Sequence, residues 1–244
     1  MLDKHYVLPR MAAFYDIECG WSADRDFYLA LAGQAPSRVI DLGCGTGLLC
    51  EAYAAAGHAV TGVDPAGAML AVGRQKPHGG VIDWLEAAAG EFRSDRRFDL
   101  IIMTGHAFQV LLTDADIAAV LQVMHDHLAP NGRAVFEVRN PALDWERRWT
   151  YERTTIALLA GGEVEKRGTV LARNGERLRF EQRYRFPDGE VVASVSELRF
   201  APRETILRLA AEAGLELVEL LGDWDGSDYD PQWSEEMIFV FGRA

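Results

Sequence analysis

Residues 39–50 read VIDLGCGTGLLC. An apolar run holding one acid, Asp41, passes into three glycines at alternate positions, Gly43, Gly45 and Gly47, and then into the apolar stretch that begins Leu48-Leu49. A β-rich run that breaks into glycines and resumes as a helical pattern predicts a tight strand-to-helix turn, with something approaching its backbone too closely for side chains.

Around that turn, from Pro36 to about Pro141, β-rich runs alternate with helical patterns: SRVIDLG, LLCEAYAAAG, HAVTGVD, AGAMLAVGRQ, VIDWLEA, FDLIIMTG, DADIAAVLQVMHDHLA and RAVFEVRN. Such alternation builds a parallel sheet covered on both faces. Gly57 is placed to end the first helix, Asp114 to cap the one running to Leu128, and Pro130-Asn131-Gly132 to turn the chain into the next strand. PRETILRLAAEAG, LELVELLG and EMIFVFGRA add a helix and two strands at the C-terminal end. The expected fold is α/β: a doubly wound, mainly parallel, seven-stranded Rossmann-like sheet with helices on both faces, formed by residues 36–149 and 201–244.

Between residues 150 and 200 the pattern changes to period two, with turn signals at Arg173-Asn174-Gly175 and Pro187-Asp188-Gly189. In LRFEQRYRF, Phe180, Gln182, Tyr184 and Phe186 face one way, and Arg179, Glu181, Arg183 and Arg185 the other. This reads as a small antiparallel β insert, serving as a lid or as a homodimer contact through edge pairing. Residues 1–35 are mostly helical in pattern, and their aromatics Phe14, Tyr15, Trp21, Phe27 and Tyr28 are expected to pack on the sheet or over its open edge.

At 244 residues and 49% hydrophobic, the chain can bury a sizeable core. A net charge of −12 and a pI near 5.0 repel phosphate backbones, so no nucleic-acid partner is expected. Arg147-Arg148 and the arginines from Arg173 to Arg185 read as solvated or interdomain charges. No apolar run approaches the ~20 residues that span a membrane, and MLDKHYVLPRMAAFYD lacks the basic start and apolar core of a signal peptide. A cytoplasmic protein is the expectation. Cys19, Cys44 and Cys50 have no metal-ligand spacing, so neither a metal site nor a disulfide framework is expected.

A GxGxG turn between strand and helix, with an acid ending the second strand, marks an adenosine site at the carboxyl edge of the sheet. A nicotinamide dinucleotide needs a third glycine at position 48, where Leu48 stands. Asp41 also suits a cationic group better than a pyrophosphate. S-adenosylmethionine carries an amino group, a carboxylate and a sulfonium, and no phosphate.

The stretch resembles motif I of the class I S-adenosylmethionine-dependent methyltransferases, of the type acting on small molecules. The likeness covers roughly residues 36–141 and the C-terminal helix-strand-strand unit. It implies that Asp41, Gly43, Cys44, Gly45 and Gly47 frame the cofactor, Cys44 as a small framing residue and not a nucleophile. Asp64, 21 residues after Gly43, matches the ribose-binding acid, and Pro65, Ala66 and Met69 begin the segment bordering the adenine. Phe98 to Thr104 matches the fourth strand, and LAPNGR the turn before the fifth, and the likeness implies that Ala88 and Thr104 also border the cofactor. One departure stands out: where many members carry an acid for the adenine amino group, this chain has Ala87-Ala88-Ala89. Glu86 or Asp83 substitutes, a backbone carbonyl serves, or affinity falls by the ~1 kcal/mol of one neutral hydrogen bond. The departure keeps open an alternative, a catalytically silent cofactor-binding regulatory or interaction protein.

The resemblance further implies in-line attack by a small-molecule acceptor on the sulfonium methyl. That reaction needs alignment and exclusion of water more than a reactive side chain. His106, after the fourth strand, is the candidate general base or substrate orienter, with a structural or cofactor-packing role the other reading. Acceptor-side candidates are Tyr15, then Trp145 and Trp149, four apart and on one face if helical, and then Asp223, Trp224 and Asp225 after the sixth strand. The loop GDWDGSDYDPQW sets carboxylates beside aromatic faces, a pairing that suits an amine; its other reading is a solvated turn. The asparagine-proline-proline-tyrosine tetrapeptide of nucleic-acid and glutamine amino-methyltransferases is absent.

Overall fold

The computed structural model describes residues 3–159 and 161–244. Three N-terminal helices, α1 (Lys4–Val7), α2 (Pro9–Glu18) and α3 (Ala23–Leu31), precede the alternating core. That core runs β1 (Arg38–Leu42), α4 (Leu48–Ala55), β2 (Ala59–Asp64), α5 (Gly67–Gly73), β3 (Asp83–Glu86), β4 (Phe98–Met103), α6 (Asp114–His127) and β5 (Leu128–Arg139). After a short α7 (Trp145–Trp149) comes the insert, β6 (Tyr151–Ala157), β7 (Glu163–Asn174), β8 (Arg177–Arg185) and β9 (Val191–Arg199). The chain then returns through α8 (Arg203–Glu212), β10 (Leu215–Leu221) and β11 (Glu236–Arg243).

The core sheet has seven strands in the order β10-β11-β5-β4-β1-β2-β3, and the insert is a separate four-stranded antiparallel sheet, β6-β7-β8-β9. β1 to β5 run parallel, while β11 is antiparallel to both β5 and β10. The winding reverses between β1 and β4, which opens a crevice at the carboxyl ends of those strands.

Residue parity sorts the core between the two faces. Ile40, Leu42, Ile101, Met103, Phe136, Val138, Phe239 and Phe241 pack with α6 and α8 on one side. Val39, Leu100, Ile102, Val135, Ile238 and Val240 pack with Tyr28 of α3 and with Leu49, Cys50 and Tyr53 of α4 on the other. By the same alternation Asp41, Asp64, Glu137, Arg139 and Glu236 belong to this second face, at the edge where the crevice opens.

Two local expectations are corrected. The cap of α6 is Thr113, whose hydroxyl accepts from Asp116 N–H at 3.1 Å in a capping box, while Asp114 is drawn away to Arg199 and Arg208. Pro130-Asn131-Gly132 does not precede β5 but forms an irregularity within it, because Leu128 already pairs with Phe98 before Arg133 pairs with Leu100. A Cβ on Gly132 would lie 2.9 Å from the Phe98 carbonyl, so glycine permits this close approach.

The N-terminal segment is held from both sides. Met11 and Phe14 of α2 pack on Val164, Tyr184, Phe186 and Val192 of the insert, and Ala12 and Tyr15 pack on Ala66 and Met69 of the core. Asp16 ties α2 to Thr46 in the glycine turn and to Lys76 beyond α5. Among the described residues no helix is long and apolar enough to cross a membrane.

Candidate active site

Gly43, Gly45 and Gly47 have φ of 78°, 56° and 67°, so the turn itself demands glycine at all three. Val63 O receives Gly43 N–H at 2.7 Å and Cys44 N–H at 3.0 Å. Asp64 receives Gly45 N–H and Ala66 N–H, each at 2.8 Å, so the acid ending β2 fixes the turn after β1. What excludes a side chain differs among the three. A Cβ on Gly47 would fall 2.6 Å from Cζ3 of Trp84 and closer still to Cη2, whereas one on Gly45 meets nothing nearer than Met69 at 3.5 Å and Tyr15 at 3.9 Å. Gly47 therefore accommodates Trp84, and the open approach is at Gly45.

Asp41 is 1% exposed, with Oδ1 unpartnered among the described residues and Oδ2 facing Cys50 Sγ at 3.8 Å. Burial, with Asp64 adding repulsion, pushes its carboxyl up to about 7. The Cys44 thiol is also raised by burial, which suits a framing role. Met69 is buried, Pro65 half-buried and Ala88 exposed. Of the two acids near the alanine run, Asp83 starts β3 and pairs with Arg96, while Glu86 ends β3 opposite Asp64 and places its carboxylate over Gly67.

A cavity of about 480 Å³, joined to the glycine turn through Tyr15, is lined by Tyr15, Glu18, Cys19, Trp21, Arg25 and neighbours from the N-terminal segment, and by Gly105, His106 and Arg139 from the core. Thr104 precedes the lining residues Gly105 and His106 without lining the cavity itself, its carbonyl receiving Ala107 N–H at 3.2 Å. The insert reaches the cavity wall indirectly, since Glu18 accepts from Lys166 at 2.6 Å and from Tyr184 Oη at 2.9 Å.

His106 is the one described non-glycine residue with positive φ, at 60°. Its backbone N–H donates to Glu137 at 2.6 Å, and its ring Nε2 lies 2.9 and 3.0 Å from the two oxygens of Glu236. Glu137 in turn accepts from Tyr28 Oη. Burial, reinforced by Arg139, lowers the imidazole, and burial raises the Glu236 carboxyl. The result is a largely desolvated imidazole at the cavity wall, its ring held by Glu236 and its backbone by Glu137.

Of the expected acceptor-side residues, only Tyr15 lines this cavity. Trp145 is buried, donates to Asn140 O at 2.7 Å and, with Trp149, packs on Phe200 and the insert. Their faces carry the Arg139 guanidinium at 5.5 and 4.8 Å, so they back the cavity without entering it. Trp224 packs on Phe27 and Tyr28, while Asp223 and Asp225 are exposed and accept from Trp224 N–H and Ser227 N–H in their own turn.

Sequence reasoning missed Glu18, Arg25, Glu137, Arg139 and Glu236. Parity in RAVFEVRN held part of the signal, because it sets Glu137 and Arg139 with buried Val135 on one face. Among the described residues no group of three or more His, Cys, Asp or Glu is placed to hold a metal ion.

A family model described as a methyltransferase domain matches residues 15–220. A ubiquinone biosynthesis O-methyltransferase of Pseudomonas aeruginosa is 33% identical over 114 residues, 45% of this chain and 48% of that protein. The chain thus spans about half the length of that curated relative. A cypemycin N-terminal methyltransferase of Streptomyces sp. is 27% identical over 216 residues, 84% of this chain and 82% of the relative. In fold, the chain is similar to an S-adenosylmethionine-dependent methyltransferase from Clostridium acetobutylicum, with a TM-score of 0.80 at 16% identity, over 96% of this chain and 98% of that one.

Proposed function

The chain belongs to the methyltransferase-domain family, and on that premise we propose that it transfers the methyl group of S-adenosylmethionine to a small-molecule acceptor bound in the 480 Å³ cavity. The observation that carries this reading is the left-handed glycine turn, locked to Val63 and Asp64, whose open approach at Gly45 faces Tyr15 of the cavity wall.

The residues present fit the cofactor. Asp41 keeps a buried, unpartnered oxygen for an ammonium group, Gly45 leaves its backbone approachable, and each oxygen of Asp64 takes a single backbone N–H, retaining lone-pair capacity for ribose hydroxyls. Pro65, Met69, Ala88 and Glu86 border the adenine side. Bound there, S-adenosylmethionine supplies the electrophilic methyl and its own leaving group. The protein aligns the nucleophile and keeps water out. His106, neutral because it is desolvated, accepts the acceptor's proton.

The insert acts as a lid, supported by its grip on Glu18 and on α2. A second reading, pairing of the open β6 edge with another copy, is favoured by the exposure of most of that strand. The net charge of −12 supports a reaction without nucleic acid, and a cytoplasmic setting suits this chemistry. A silent binding module finds no support in the relatives, which are named as methyltransferases.

The test incubates the protein with labelled S-adenosylmethionine and fractionated cell extract. Label entering a small molecule is the expected result. Tight cofactor binding with no transfer to any fraction would overturn the enzymatic reading.

A further inference from the structure

Resting on that reading of the cavity, the geometry points to Arg139 as an acceptor-binding residue that takes a carboxylate of the methyl acceptor.

Arg139 ends β5 and lines the cavity beside His106. Its Nη1 donates to Gln109 Oε1 at 2.9 Å, and among the described residues no other side chain receives its guanidinium. None of their carboxylate oxygens lies within 4.0 Å of it. The two nearby acids are turned elsewhere. Glu236, its register partner on β11, gives both oxygens to the His106 ring, and Glu137 is taken by Tyr28 Oη and His106 N–H. A guanidinium in a desolvated wall carries a penalty that an ion pair normally offsets. Among the described residues the Trp149 and Trp145 faces and Gln109 touch it, and the charges of Glu236 and Glu137 favour it from beyond ion-pair distance, so the fork keeps no direct anionic partner.

The side chain is also preorganised. Gln109 is 1% exposed, holds Nη1 with Oε1 and donates Nε2–H to Arg199 O at 3.3 Å where the insert ends. The tilted Trp145 and Trp149 rings, 5.5 and 4.8 Å from its Cζ, flank the fork. A planar, fixed, part-used guanidinium matches the two oxygens of a carboxylate better than any neutral group. Arg25, the other cavity-lining arginine, is spent on Cys19 O, Ser22 and Asp24.

The experiment titrates the S-adenosylhomocysteine complex with benzoate and with benzamide, a planar neutral counterpart, by calorimetry. Benzoate is expected to bind at least about tenfold more tightly. Arg139→Gln should abolish that preference and Arg139→Lys retain part of it, both with S-adenosylhomocysteine affinity within about twofold of the parent. Equal binding of the two probes, a preference that survives Arg139→Gln, or a loss of S-adenosylhomocysteine affinity in that variant would overturn the assignment, the last by giving Arg139 to the cofactor's own carboxylate. If a variant fails to fold, a crystal structure of the parent complex with benzoate decides: its carboxylate lies on Arg139, or the inference is wrong. Failure of the parent to bind S-adenosylhomocysteine at all would instead refute the proposed function, and the benzoate titration of the free protein would still judge Arg139.

Discussion

Nε2 of His106 lies 2.9 Å from Oε2 of Glu236, joining the loop after β4 to the first residue of β11 across 130 positions of sequence. Burial lowers the imidazole and raises the carboxyl, so the ring is held neutral beside Glu236 in the cavity wall. Glu236→Gln should leave S-adenosylhomocysteine affinity unchanged and lower kcat by about 10- to 100-fold, because the amide can still bond the ring but no longer stabilises the imidazolium formed when His106 takes a proton. Unchanged kcat and an unchanged pH profile would remove His106 from the chemistry.

Asp64 joins the two halves of the cofactor site before any ligand arrives, through Gly45 N–H and Ala66 N–H. Asp64→Ala should weaken S-adenosylhomocysteine binding by ~2 to 3 kcal/mol, since a charged acceptor is deleted. Calorimetry on the same protein should find no binding of NAD. Parent-like affinity in the variant would refute the ribose role.

Gly47 combines a φ of 67° with the Trp84 ring, so two separate penalties act on one substitution. Gly47→Ala should cost more than about 2 kcal/mol in urea unfolding. Adding Trp84→Leu should recover only the steric part, because the left-handed backbone remains. Full recovery in the double variant would show that the ring alone excludes side chains there.

The Asp41 carboxyl, raised by burial to about 7, makes a pH-dependent contribution whose sign follows from linkage. With the folded pKa above the unfolded one, the stability contribution is complete below pH ~3.8 and is lost as pH rises through about 7. Asp41→Asn should therefore stabilise the cofactor-free protein at pH 8 by about 2 to 4 kcal/mol and have little effect at pH 4, as read from Tm. The same change should weaken S-adenosylmethionine binding. Equal Tm shifts at both pH values would contradict the burial argument.

Asp223 and Asp225 provide the opposite expectation. Both are exposed and bonded to their own turn, and neither lines the cavity. The double change to asparagine should leave acceptor KM within about twofold. A large rise in KM at constant cofactor affinity would restore the amine-binding role that the loop's composition invites.

The α/β core, its seven strands, the antiparallel insert and the glycine turn were all legible in the amino-acid order, because strand alternation, helix periodicity and left-handed turns are properties of neighbouring residues. The positions of Asp41 and Asp64, one residue short of the end of β1 and at the end of β2, were legible for the same reason. The partners of His106 were not. RAVFEVRN assigns Glu137 and Arg139 to one face, but only the antiparallel register of β11 on β5 sets Glu236 opposite Arg139, and only sheet order brings both beside the loop after β4. Gly47 was legible as a glycine requirement, yet its neighbour Trp84 comes from β3, two strands from β1. Trp145 and Trp149 have the spacing of a shared helical face, but spacing cannot tell a face that lines a cavity from one that backs it. Packing decides that, since apolar rings go wherever they exclude most water, and here the insert offers Phe180 and Phe200 to cover them.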